Sequence, residues 1–133
     1  MESSLKDLSQ YRFSRAKEEL ETAKALLKDE RYRAALNRSY YAIFHAMRSV
    51  NILGQFDSSK HSGVIAYFNQ HYVKTGIFPK ECSKIIRNAS EIRERADYDD
   101  FFIASRKEAE EQVSMAQKFI ALTEKILKDY TTI

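Results

Sequence analysis

The stretch YRAALNRSYYAIFHAMRSVNILG, residues 32–54, decides the fold. Within it Leu36, Tyr40, Ile43, Met47 and Val50 recur at spacings of three and four, the period of one helix face. Tyr41 and Phe44 widen that stripe on one side. Between Ala34 and Met47 the only charged or imidazole side chains are Arg38 and His45. An outer helix carries more charge than this, so the segment is expected at the centre of a bundle, covered on most sides. Gly54 is placed to stop it as a left-handed C-cap.

Upstream, Phe13, Ala16, Leu20, Ala23 and Leu27 mark an amphipathic helix over about residues 7–28. The link Lys28-Asp29-Glu30-Arg31 is short, with Asp29 available as N-cap, so the first two helices fold back as an antiparallel hairpin. Downstream, Asp57-Ser58-Ser59 offers caps for a short third helix bearing His61, Val64, Ile65, Phe68 and Tyr72, which Gly76 ends. Pro79 suits the first turn of a fourth helix, whose stripe is Cys82, Ile85, Ala89, Ile92 and Ala96. Asp97-Tyr98-Asp99-Asp100-Phe101-Phe102 breaks the period and reads as a loop. Ser105 and Glu108 then form a capping box for a last helix to about Lys128, with Ala109, Val113, Ala116, Ile120 and Leu127 inward. The expected fold is all-α: an antiparallel up-down four-helix bundle with one additional short helix, one domain over residues 1–133, frayed over 1–8 and 129–133.

Composition agrees. Three glycines and one proline are too few for the turns of an all-β or Rossmann-type fold, and 16 Phe or Tyr residues exclude a disordered chain. Lys and Arg number 22 against 19 acidic residues, spread over both halves, which does not suit a protein held to duplex DNA by phosphate neutralisation. A local cluster still suffices for a nucleotide or a short RNA. The single Cys82 excludes an internal disulfide and reads as a small core residue. The N-terminus has no signal-peptide pattern and no window approaches a membrane span, so a cytoplasmic protein is expected. Phosphate-loop, nucleophile-elbow and His-Glu-x-x-His patterns are absent, and no metal or cofactor is expected.

Two groups of polar residues carry candidate chemistry. Arg38 and His45 lie two helical turns apart on one face, where a permanent cation beside an imidazole suits phosphate or RNA binding. The alternative is that both bond to neighbouring helices or reach solvent. In Arg93-Glu94-Arg95-Ala96-Asp97-Tyr98, Arg93 falls roughly 80° from the buried face centred on Ile85, on the core rim, with Asp97 one turn on. Either the pair fixes the helix end, or the carboxylate holds an arginine presented to a phosphodiester with Tyr98 beside it. His61 and His71, ten residues apart and roughly 80° apart in azimuth, are not placed to share a metal, and each reads as a surface or boundary histidine.

These motifs resemble a known family. Asn37-Arg38-Ser39-Tyr40-Tyr41-Ala42-Ile43-Phe44-His45-Ala46 is similar to a hallmark of small prokaryotic HEPN-domain proteins. Lys60-His61-Ser62-Gly63-Val64, Phe68-Asn69 and Arg93 through Asp99 resemble the same UPF0332-type branch, and the likeness runs from about Tyr11 to Ala121. The resemblance implies a four-to-five-helix bundle, usually a homodimer, often encoded beside a minimal nucleotidyltransferase in a toxin–antitoxin-like pair. It also implies metal-independent endoribonuclease chemistry from an arginine followed, after four to six residues, by a histidine. Arg93 aligns with that arginine, but five residues on stands Tyr98. Arg93, Asp97 and Tyr98 are therefore the catalytic candidates, and Arg38, His45 and Arg95 the nucleotide- or RNA-binding ones. A non-catalytic module that binds a nucleotide or the partner protein stays open beside the nuclease. Tyr41 and Phe44, with Phe101 and Phe102, are candidates for a dimer interface or for plugs of the bundle.

Overall fold

The computed structural model describes residues 2–131, which form five α-helices: α1 (Glu2–Lys28), α2 (Tyr32–Asn51), α3 (His61–Phe68), α4 (Glu81–Tyr98) and α5 (Arg106–Thr131). Helix α2 touches each of the other four, as its low charge predicts. Its stripe Tyr40, Ile43, Met47 and Val50 meets Phe13, Ala16 and Leu20 of α1, Phe68 of α3, Ile85, Ile86 and Ala89 of α4, and Phe119 of α5. A smaller cluster of Ala23, Ala35, Leu36, Ala109 and Val113 continues the core toward the α1–α2 turn. Cys82 is a buried core residue whose thiol burial pushes up to about 11, so it is unreactive at neutral pH.

Several local expectations change. Helix α1 begins at Glu2, five residues before the expected start, and α5 continues through Thr131; residues 1, 132 and 133 lie outside the described part. Asp29 does not cap α2; its carboxylate instead accepts from Nε of Arg31 at 2.9 Å. The turn closes through backbone: Arg31 N donates to Leu26 O and Glu30 N to Leu27 O, a Schellman arrangement with Glu30 left-handed at φ 60°.

At the end of α2 the left-handed residue is Gln55, φ 65°, and not Gly54. Gly54 is needed for space: a Cβ there would sit 2.5 Å from Oη of Tyr67 and 3.0 Å from Oη of Tyr72. The third helical stretch ends as an α-helix at Phe68 and continues as a π-helical turn, Asn69–Val73, before Gly76 at φ 84°. Ser58 Oγ accepts from Lys60 N just ahead of α3, whereas Asp57 is drawn off to two arginines. Pro79 precedes the fourth helix rather than opening it, its carbonyl accepting from Cys82 N.

Helix α4 runs through Asp97 and Tyr98, so the loop is residues 99–105. Two contacts extend it: the Arg93–Asp97 ion pair one turn apart, and the Arg33 guanidinium, which donates to the Ala96 carbonyl among the otherwise orphaned last carbonyls. The capping box opens α5 as expected, with Glu108 N donating to Ser105 Oγ at 3.1 Å and Ser105 N to Glu108 Oε1 at 3.5 Å. Phe102 packs on the smaller core cluster, while Phe101 stands 90% exposed.

Candidate active site

Three helices meet around one imidazole. His61 is the first residue of α3, Tyr40 belongs to the central stripe of α2, and Arg93 sits on the core rim of α4. Oη of Tyr40 lies 2.7 Å from Nδ1 of His61, and Nη1 of Arg93 lies 3.4 Å from the same nitrogen. The His61 ring rests on Phe44 with centroids 4.3 Å apart. The Arg93 guanidinium carbon stands 5.0 Å from the Tyr40 ring centroid and 5.8 Å from that of Tyr41, within cation–π range. Asp97 Oδ2 is 3.2 Å from Arg93 Nε, close enough for an ion pair, yet Nε makes no hydrogen bond because the direction is poor. Arg93 is 19% exposed, so its charge is compensated mostly by ring faces and one carboxylate.

A guanidinium can only donate, so Nδ1 of His61 accepts at rest and the ring proton is assigned to Nε2. Nε2 itself has no hydrogen-bond partner among the described residues. Burial first, and then the charge of Arg93, lower the His61 pKa below 6.5, so the ring is neutral at pH 7. Burial pushes Tyr40 up to about 12 against the opposing pull of Arg93, so its hydroxyl keeps its proton and can donate or accept.

The structure thus joins Arg93 and Asp97, as read from the sequence, but leaves Tyr98 to one side. Tyr98 is 77% exposed and makes no hydrogen bond among the described residues; it lines an open groove with Glu91, Glu94, Arg95 and Phe101. Arg95 reaches Glu108 Oε2 at 3.5 Å and lies over Phe102, tying the loop to α5. Arg38 donates to Glu19 Oε2 at 2.8 Å and stacks 5.0 Å above the Tyr41 ring, whose other neighbours include Arg93. His45 sits further along α2 beside Tyr41, held down to about 4 by burial and then by Arg15, Arg48, Arg38 and Arg12. Phe44 is covered by His61 within the chain, which takes it out of the interface candidates.

Sequence reasoning missed His61 and Tyr40 as partners of Arg93. The available signal was the Lys60-His61-Ser62-Gly63 motif, whose histidine opens a helix and so stands at a defined place.

Residues 9–126 match the HEPN domain family, nearly the whole described chain. The chain belongs to the HEPN family. A UPF0332 protein of Thermotoga maritima is 37% identical over 115 residues, 86% of this chain and 87% of its own length. A Methanocaldococcus jannaschii protein named "Putative toxin MJ0605" is 33% identical over 114 residues, 86% of this chain and 84% of its own. A UPF0332 protein of Pyrococcus horikoshii is 36% identical over 72 residues, 54% of this chain and 51% of its own. In this HEPN domain no group of three or more His, Cys, Asp or Glu among the described residues is arranged to hold a metal. Nor is any described helix long and apolar enough to cross a membrane.

Proposed function

We propose that this HEPN protein is the toxin-like member of a two-component pair and cleaves RNA at the Arg93–His61 group without a metal. The observation that carries this reading is that α3 supplies, beside Arg93, the imidazole that position 98 lacks. Arg93 binds the scissile phosphate as a fixed cation, and Asp97 holds its guanidinium. A phosphate that draws Arg93 from Nδ1 frees His61 to carry its proton on Nδ1, with the Tyr40 oxygen accepting. Nε2 then takes the proton of the ribose 2′-hydroxyl, the 2′-oxygen attacks phosphorus, the 5′-oxygen leaves with a proton from water, and the hydroxide so formed takes the proton back from Nε2. The products are a 2′,3′-cyclic phosphate and a 5′-hydroxyl. The test is cleavage of a mixed RNA pool in a chelator-treated buffer: the wild-type chain cuts, and His61→Ala and Arg93→Ala do not.

A second reading, a non-catalytic module that binds a nucleotide, is favoured by the resting site. Both groups at Nδ1 are placed to donate, which leaves His61 an Nε2–H donor suited to holding a phosphate. Saturable nucleotide binding with intact RNA would select it.

The exposed Phe101 and Ile103 support docking of a protein partner, which we assign to a minimal nucleotidyltransferase, with a homodimer as the resting state in the cytoplasm. Co-purification with that enzyme and a dimeric solution mass test these assignments.

A further inference from the structure

Along α2 the residues Asn37, Arg38, Tyr41, His45 and Arg48 stay half-open while the rest of that length is buried. They span about 17 Å of helix rise. Four guanidiniums act on His45 through their charge, those of Arg12 and Arg15 from α1 and of Arg38 and Arg48 from α2. Their opposing charges are few. One carboxylate, that of Asp57, serves both Arg12 and Arg48: its Oδ2 accepts from Arg12 Nη2 at 3.2 Å and its Oδ1 from Arg48 Nη2 at 2.9 Å, while Glu19 pairs with Arg38, and Glu18, Glu19 and Tyr11 lie near Arg15.

That arrangement leaves buried donors unused: Nη1 of Arg12 and Nε of Arg48 have no hydrogen-bond partner among the described residues. A buried N–H without an acceptor is unfavourable, and two of them flanking one carboxylate make a seat for a further anion. Burial first, and then these four charges, keep a proton off His45, and the same charges attract a phosphate. The stripe also reaches the Arg93–His61 group, because the Tyr41 ring lies against both Arg38 and Arg93.

We propose that this stripe carries the phosphodiester backbone of single-stranded RNA, from the Arg93–His61 group over Tyr41 and Arg38 to a phosphate seat between Arg12 and Arg48. It rests on the reading of that group as an RNA site and extends it by a second phosphate contact. The asymmetry is functional: Arg93 acts on one phosphate, and the α1–α2 arginines hold a neighbouring one.

The experiment titrates the protein against a 5′-fluorescein hexaribonucleotide with 2′-O-methyl sugars, which lacks the attacking hydroxyl, at several salt concentrations. Arg15→Gln, an exposed change, and Arg48→Gln are each expected to weaken Kd about fivefold and to reduce the salt slope by about one. Asp57→Asn, which removes the competing carboxylate, is expected to tighten Kd severalfold, an effect that a clamp merely holding the loop does not give. Kd and slope unchanged in both arginine variants overturn the proposal, as does an Asp57→Asn chain that melts normally without binding more tightly. A wild-type chain that binds along the stripe yet leaves cleavable RNA whole removes the nuclease reading and keeps the path. One that cuts RNA with no dependence on these arginines does the reverse.

Discussion

Nη1 of Arg93 lies 3.4 Å from Nδ1 of His61, although thirty-two residues separate them in the chain. The contact exists because α3 and α4 both pack on α2, which brings the first residue of one beside the rim of the other. Tyr40 from α2 completes it with a 2.7 Å hydrogen bond to the same nitrogen. The arginine, the imidazole and the hydroxyl thus come from three helices, and their relative placement depends on the bundle core.

Tyr40→Phe keeps the ring and deletes the hydroxyl that pairs with Nδ1 of His61 and accepts from that nitrogen in the proposed step. The expected stability loss is about 0.5–1.5 kcal/mol, the usual net value of one hydrogen bond. The expected kinetic signature on an oligoribonucleotide is a kcat lowered about tenfold with KM within twofold, since Arg93 still binds the phosphate. An equal rise in KM with kcat unchanged would assign Tyr40 to substrate binding instead.

Tyr98→Phe separates the structural site from the one that chain order suggests. With its hydroxyl outside the Arg93–His61 group, cleavage is expected to stay within about threefold of wild type. A loss as deep as that of Arg93→Ala would return the catalytic role to position 98.

Acid sensitivity follows from His45. Its folded pKa of about 4 lies below the unfolded value of 6.5, so the native state binds fewer protons than the unfolded chain between those limits. Stability is therefore complete above about pH 6.5 and falls as pH drops toward 4. The lowered pKa of His61 adds in the same direction, while Asp57, held below 3.8 by Arg12 and Arg48, stays ionised throughout that window. Thermal melts at pH 7, 5.5 and 4.5 should show this decline, and His45→Gln should flatten it. A parallel decline in the variant would place the acid-sensitive group elsewhere.

Gly54→Ala tests the close approach of the two tyrosine hydroxyls. The added methyl must displace Tyr67, which donates to the Gly54 carbonyl, or Tyr72, which donates to that of Val50. The expected cost is about 1–3 kcal/mol, read as a lowered Tm. Gly63→Ala should be milder, because its nearest neighbour, Ser58 Oγ, is 3.3 Å from the added carbon.

The periodic residues made the fold legible. The α2 stripe and the low charge around it placed that helix at the centre, and the Ser105–Glu108 box placed the start of α5. Local turns were harder to read where an ordinary residue takes the left-handed position, as Glu30 and Gln55 do, because no glycine announces them. Arg93 and Asp97 were legible for a similar reason to the helices: one turn of α4 joins them. His61 was not, since helical spacing says nothing of a neighbour on another helix. Its distance of 3.4 Å from Arg93 is a product of tertiary packing alone.

The most direct measurement follows the ends of a cleaved RNA. A 5′-labelled oligoribonucleotide incubated with the wild-type chain in chelator-treated buffer should yield fragments ending in 2′,3′-cyclic phosphate. The same reaction with His61→Ala, confirmed as folded by circular dichroism, should yield none. Cleavage by His61→Ala at the wild-type rate would contradict the account, because the imidazole beside Arg93 would then have no part in the chemistry.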